Sequence, residues 1–328
     1  MRRAALLVLL GLGATLRPAP STDPLDALRY GSPEAREAAV DQVIAGKVPQ
    51  AGPALLDALD DSKGLFRLKV VRALGVVKDD AAVRPLTALL QDPEAELRVA
   101  AARSLERLAD PAAAPGLIPA LADGDEEVRE AAVRALGACG GPGQAKAAAA
   151  LLKDNNRLVR LAAVDALGQM GGEAALTALE GQLSENDPSF KRHVVIAIGA
   201  SGGDRAEAHL SAWLGDKDPY LRGFAAEALA KRPADPALVP ALLGLLDDPV
   251  YAVRVRAVEA LGAWKSKRAV PALLKSLKES EPTLRWKAVL ALGSIGDGAA
   301  REALDYLAQH DEEAEIRAAA AQALKDLR

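Results

Sequence analysis

The chain has 328 residues and a formal charge of −4; half of it is hydrophobic but only 3 % is aromatic. So slight a negative charge gives no general attraction to nucleic acid or anionic lipid, and a core with so few aromatics must be built from Ala, Leu and Val. Cys139 is the single cysteine, which excludes an intramolecular disulfide.

The chain opens with Met1-Arg2-Arg3, an apolar run from Ala4 to Leu16, and the Pro-rich stretch Arg17-Pro18-Ala19-Pro20. Two positive charges ahead of about a dozen apolar residues predict a secretory signal peptide. The run is shorter than the roughly 20 residues a bilayer span needs, and no cysteine follows it to carry a lipoprotein anchor. Residues 1–21 are therefore read as signal peptide and linker and 22–328 as the folded part, with export to the periplasm or medium expected. Arg17 interrupts the small-residue pattern before Ala19 and leaves the cleavage site open.

From there a basic residue recurs every 31 or 32 positions: Arg36, Arg67, Arg98, Arg129, Arg160, Lys191, Arg222, Arg254, Arg285 and Arg317. The frame around it returns too, as in Val128-Arg129…Ala135-Leu136-Gly137 and Val253-Arg254…Ala260-Leu261-Gly262. A fixed period of this length marks a stack of identical supersecondary units. In the unit 112–140, Pro115 opens a short apolar segment through Leu121, Asp123-Gly124 breaks it, and helical periodicity runs from Glu126 to Ala138. Counted from the arginine, positions −1, +3, +4, +6 and +7 fall on one face and −2, +1, +2 and +5 opposite. Each unit is thus predicted to be a short helix A, a turn, and a longer helix B that carries the arginine.

Punctuation agrees. Ser32-Pro33, Asp187-Pro188 and Asp218-Pro219 read as an N-cap followed by Pro at the first helical position. Glycine at +8 predicts close approach of helices, and glycine at +11 (Gly140, Gly171, Gly202, Gly296) predicts left-handed termination. Six residues before each basic residue stands an acid: Asp61, Asp92, Asp123, Asp154, Glu185, Asp216, Asp248, Glu279 and Asp311, with Tyr30 in the first unit. Such repetition predicts a ladder of structural ion pairs rather than a catalytic or metal-binding pair.

An acid, a basic residue six positions later and Ala-Leu-Gly closing eight further on resemble HEAT repeats, particularly the short repeats of phycocyanobilin lyases. The resemblance covers Asp23 to Arg328. It implies an all-α, right-handed α-solenoid of about ten HEAT-like helix pairs. It says little about function, because scaffolds, lyases, hydroxylases and DNA glycosylases share such repeats. Deoxyhypusine hydroxylases of this class bind iron through His-Glu dipeptides, and this chain has none.

Chemistry-bearing residues are sparse. None of His193, His209 and His310 has a second histidine or a cysteine at i+3 or i+4, and Gly140-Gly141-Pro142-Gly143 follows a helix rather than a strand, unlike a phosphate loop. Cys139 lies in the column of Val77, Leu108, Met170 and Ile295 and is read as a core residue. No catalytic residue, metal site or cofactor is expected. What departs from the repeat is a set of apolar residues on the outer positions of helix B: Leu65, Leu68, Val99, Leu158, Leu161, Ile196, Tyr220, Phe224, Val255, Trp286 and Leu290. In HEAT-like stacks these would line the concave groove, either as a partner site or as residues covering one another. Eight of ten aromatics fall between Phe190 and Tyr306, and nine cations against three acids between Val250 and Leu290 give that stretch +6.

The expected partner-binding residues are Arg192, Tyr220, Phe224, Tyr251, Arg256, Trp286, Lys287 and Leu290. The expected partner is a protein or peptide bound by a non-catalytic exported scaffold; no small-molecule ligand and no membrane span are indicated. Two alternatives stay open: a bilin lyase-like or chaperone-like accessory protein, and a nucleic-acid-binding HEAT-like protein, which export and the net charge disfavour.

Overall fold

Five of the B helices begin where a short polar side chain turns back onto the backbone. Ser32 Oγ accepts from the Ala35 amide at 3.3 Å, Asp125 Oδ1 from Glu127 at 2.9 Å, Asn156 Oδ1 from Leu158 at 2.8 Å, and Asp187 and Asp218 from Ser189 and Tyr220 at 2.8 Å each. These caps satisfy amides that the first turn leaves without partners. The computed structural model describes residues 23–48, 50–61, 63–184 and 186–327; the proposed signal peptide lies outside them.

The described residues form helices and no strand, in ten pairs. The A helices are α1 (Pro24–Tyr30), α3 (Gly52–Asp61), α5 (Val83–Ala88), α7 (Ala114–Ala120), α9 (Ala145–Ala150), α11 (Gly172–Glu180), α13 (Gly203–Trp213), α15 (Val239–Gly244), α17 (Val270–Ser276) and α19 (Arg301–His310). The B helices are α2 (Pro33–Ile44), α4 (Gly64–Val77), α6 (Ala95–Leu108), α8 (Glu126–Cys139), α10 (Arg157–Met170), α12 (Pro188–Ser201), α14 (Pro219–Ala230), α16 (Tyr251–Ala263), α18 (Pro282–Ile295) and α20 (Ala314–Asp326).

The chain divides after Ala82 into two compact units. In the first, α2 packs on α4 and each A helix on its own B helix. In the second, every B helix from α6 to α20 packs on the next, with the A helices alongside. This is the stacking of an α-solenoid, and the predicted stripe fills its core: Val128, Ala132, Val133, Ala135 and Leu136 have no solvent exposure. Glycine at +8 sets the spacing. A Cβ on Gly137 would lie 2.9 Å from Ala166 Cα, and one on Gly262 would lie 2.7 Å from Ala291 Cβ, so neither position admits a side chain without moving a helix.

Of the +11 glycines, only Gly296 (φ 70°, ψ 26°) ends its helix in the left-handed basin as predicted. Gly171 and Gly202 combine positive φ with extended ψ, while Gly140 has φ −90°. Lys78 and Ala109 take the left-handed conformation instead, a strain the following A helix must hold in place.

The ladder works across repeats. Arg98, Arg129, Arg222 and Arg285 donate Nη1 to the carbonyls of Asp92, Asp123, Asp216 and Glu279 in their own repeats, at 2.9, 2.9, 2.8 and 3.0 Å. Their Nε atoms reach the carboxylates of the next repeat, Asp123, Asp154, Asp248 and Asp311, at 2.8, 2.8, 2.6 and 2.9 Å. Nη2 completes each fork. Every one of these aspartates also accepts the amide two residues on, as Asp248 does from Val250 at 2.8 Å. One short carboxylate therefore caps its own turn and bonds the preceding helix B. An acid is needed wherever a repeat follows another, which fits its replacement by Tyr30 in the first.

Two rungs differ from the expected register. Lys191, with one ammonium in place of a planar fork, meets Asp218 at 3.1 Å rather than Asp216. Arg254 keeps its bond to the Asp248 carbonyl at 2.9 Å, but its buried Nε has no partner. The acid opposite is Glu279, one methylene too long to cap its turn and meet the fork together. The side chains of Asp61 and Glu185, expected in two further rungs, lie outside the described set.

Candidate functional site

The outer surface of the B helices is narrower than periodicity predicts. Positions −2 and +5 face solvent, as in Leu65, Leu158, Tyr220 and Leu290. Positions +1 and +2 largely do not: Leu68, Val99, Leu161, Ala100, Ala131, Ala162 and Phe224 are buried. From α8 to α18 each B helix packs between two other B helices, so its buried arc is wider than the single stripe of a two-helix contact. The apolar strip is accordingly broken into separate exposed residues, with Ile196, Val255 and Trp286 half-buried.

The expected partner-binding residues sort along this line. Tyr220 is 50 % exposed, Leu290 is 42 % exposed, and Arg192 is exposed. Tyr251, Arg256, Trp286 and Lys287 are half-buried. Phe224, expected on the surface, is only 4 % exposed and is a packing residue. Trp286, expected on the outer face of helix B, is half-buried, with the Lys287 ammonium 5.1 Å from its ring centre. Tyr251 lies under Arg254, whose guanidinium is 5.6 Å from its ring centre.

Four of the expected residues do come together. The Tyr220 ring stacks on Phe224 with centroids 5.9 Å apart, and the Arg256 guanidinium lies 5.0 Å over Phe224 from α16. Arg256 Nε then donates to Glu227 at 3.3 Å, and Arg192 Nε reaches the same carboxylate from α12 at 2.8 Å, with its Nη2 on the other oxygen. Burial opposes the charge on Glu227, but the two guanidiniums outweigh it and hold its carboxyl below the ordinary range. Lys287 is matched by Glu259 at 2.5 Å and Arg285 by Asp311 at 2.9 Å.

Two contributors go beyond the expected set. Gly223 occupies the +1 column, where other B helices carry Leu, Val, Glu, Arg, Trp or Ala. A Cβ there would lie 3.3 Å from Arg256 Cδ, so the glycine lets Arg256 lie flat on Phe224, offsetting a helix-interior cost of about 1 kcal/mol. Glu227 binds both arginines. The only sequence signal for Gly223 is its departure from the column; Glu227 looks like any surface acid until the fold brings α12 and α16 to either side of it.

The remaining sites are structural. Cys139 is buried, donates to the Leu105 carbonyl at 3.4 Å, and has its thiol pushed up to about 11, chiefly by burial. Such a thiol is no nucleophile near neutrality. Trp264 Nε1 bonds the Leu229 carbonyl at 2.9 Å, and Trp213 is buried against His209. Among the described residues no group of His, Cys, Asp and Glu is placed to hold a metal ion, and no helix is long and apolar enough to cross a membrane.

Helix pairs joined by Arg–Asp rungs, with a ledge of stacked aromatic and guanidinium groups, define a helical-repeat scaffold. The chain belongs to the HEAT-repeat family: HEAT repeats match residues 21–106, 52–124, 84–151, 114–190, 181–254 and 239–325. No curated protein matches it. An engineered protein is similar at 22 % identity over 92 % of this chain and 97 % of its own, with a TM-score of 0.44. Human deoxyhypusine hydroxylase in complex with glycerol is similar at 26 % over 74 % of this chain and 94 % of its own, with a TM-score of 0.33. The CpcE–CpcF complex of phycocyanin lyase from Nostoc sp. PCC7120 is similar at 24 % over 76 % of this chain and 97 % of its own, with a TM-score of 0.45.

Proposed function

We propose that this protein is a non-catalytic, exported scaffold that binds a protein or peptide segment on the B-helix face of α12, α14, α16 and α18. The observation that carries the reading is the ledge around Tyr220. A half-exposed tyrosine is fixed on Phe224, which Arg256 fixes in turn. Rigid aromatic anchors beside arginine are what binding hot spots favour, because little side-chain entropy remains to be lost on association. Folding alone would be served by Ala or Glu at position 220. Leu290 extends the apolar element along the same face. The charged apolar sequence of residues 1–16 supports export.

A photoreactive side chain at position 220 tests the face, with the exposed Tyr306 of α19 as the control position. The reading expects cross-linking to a discrete partner from position 220 and not from 306. Equal yields at both positions, or a yield at 306 alone, refute it. Fractionation and N-terminal sequencing test export: the mature chain should begin near residue 22 and lie outside the cytoplasm, and an intact Met1 on cytoplasmic protein refutes it.

A further inference from the structure

We propose that the segment taken by this face is acidic, with a carboxylate of the partner seated between Arg192 and Arg256 and an apolar neighbour against Tyr220; the proposal rests on the binding face argued above. Charge complementarity carries it. Across the outer positions of α12, α14, α16 and α18, Arg192, Arg256 and Lys287 face Glu227 and Glu259. Glu259 is taken by Lys287, and Glu227 is shared by the two arginines. Two guanidiniums on one carboxylate leave a positive charge whose natural complement is one more carboxylate.

The donors agree with the charge. Arg192 uses Nε and Nη2 on Glu227, and Arg256 uses Nε on Glu227 and Nη1 on the Ala252 carbonyl at 3.1 Å. Nη1 of Arg192 and Nη2 of Arg256 have no acceptor among the described residues. Both groups are anchored, so an incoming carboxylate meets donors already oriented by Glu227 and Phe224, and charge-assisted bonds of this kind are the stronger sort. A basic or phosphate-rich partner fits less well: the first is repelled, and the second meets only one surplus charge.

The test is a selection of random twelve-residue peptides on the full chain, followed by anisotropy titration of synthesised winners. Expected are winners rich in Asp and Glu beside Leu, Ile or Phe. Their affinity should fall about tenfold in Arg192→Gln, the loss of one charge-assisted contact. It should also fall several-fold between about 50 and 300 mM salt, a measurement on the unaltered chain that no folding defect can confuse. Winners without acidic bias that are still lost in Tyr220→Ala would overturn the acidic occupant and leave the binding face standing. Binding indifferent to both Tyr220→Ala and Arg192→Gln would overturn the face as well.

Discussion

Replacing Arg222 by alanine should cost as much stability as truncating a buried core residue of α14 or α16. The side chain makes four bonds: Nε to Asp248 Oδ2 at 2.6 Å, Nη2 to Oδ1 at 2.9 Å, and Nη1 to the carbonyls of Asp216 and Lys217 at 2.8 and 3.2 Å. The Asp248 side chain is 5 % exposed, so truncation leaves a buried carboxylate with only the Val250 amide to satisfy it. Breaking a buried pair in this way costs about 3–5 kcal/mol. The Lys217 carbonyl is exposed and water replaces its donor, so it adds little. Because repeat stacks open locally, the loss should be read by urea denaturation together with amide exchange. Amides of α14 and α16 should lose protection before those of α6 and α8. Arg222→Met combined with Asp248→Leu should recover most of the loss, since the burial penalty disappears with both charges. A loss below about 1 kcal/mol for Arg222→Ala would show that Asp248 is reached by solvent and that the rungs are ornamental.

Glu279→Asp should raise stability by about 1–2 kcal/mol by giving the buried Arg254 Nε an acceptor, checked by the urea midpoint; an unchanged or lowered midpoint refutes the account of that rung. Arg129, Arg222 and Arg285 hold the carboxyls of Asp154, Asp248 and Asp311 below the ordinary range. A depressed folded-state value means this stability is complete well above pH 4 and is lost as pH falls through roughly 5 to 3 and below. Melting temperature against pH should show that slope, and Arg222→Ala should flatten it. Gly262→Ala should destabilise by about 1–3 kcal/mol because its Cβ would lie 2.7 Å from that of Ala291, despite a helix-propensity gain near 1 kcal/mol. A variant more stable than the parent would mean that α16 and α18 can part without cost.

The fold was legible because its determinants are local and repeated. Caps such as Asp187 and Asp218, prolines at first helical positions, and the Val128–Leu136 stripe each act within one repeat, and each appears where periodicity places it. Even the direction of the ladder follows from the sequence: an acid is missing from the first unit because the carboxylate serves the arginine one repeat earlier. What periodicity does not carry is length. Asp and Glu count alike as acids, yet only the shorter side chain caps its turn and meets the fork, so the open rung at Arg254 emerges only from coordinates.

The site was legible in part, and the failure has a definite origin. A helical wheel assigns one buried face, whereas a B helix in a stack has neighbours on both sides as well as an A helix behind. Positions +1 and +2 therefore pass from outer surface to interface. That transfer buries Phe224 at 4 % exposure, half-buries Trp286, and leaves Tyr220 at −2 half-exposed. The consequence for recognition is more than a shorter list of residues. A tryptophan free to move would offer area at a cost in entropy; a tyrosine stacked on a buried phenylalanine offers less area already fixed. The same interface turns Arg192, Arg256 and Glu227, which lie on three different helices, into one charged cluster. Their separations of 35 and 29 residues are about one repeat each. The cluster thus depends on adjacent repeats keeping their register, and a shift of one turn between α14 and α16 would dissolve it. Tyr220→Ala and Arg192→Gln should leave the melting temperature within about 2 °C of the parent, since about half of each residue faces solvent and surface substitutions seldom move stability far. A larger fall would mean that the ledge holds the stack together rather than presenting a surface to a partner.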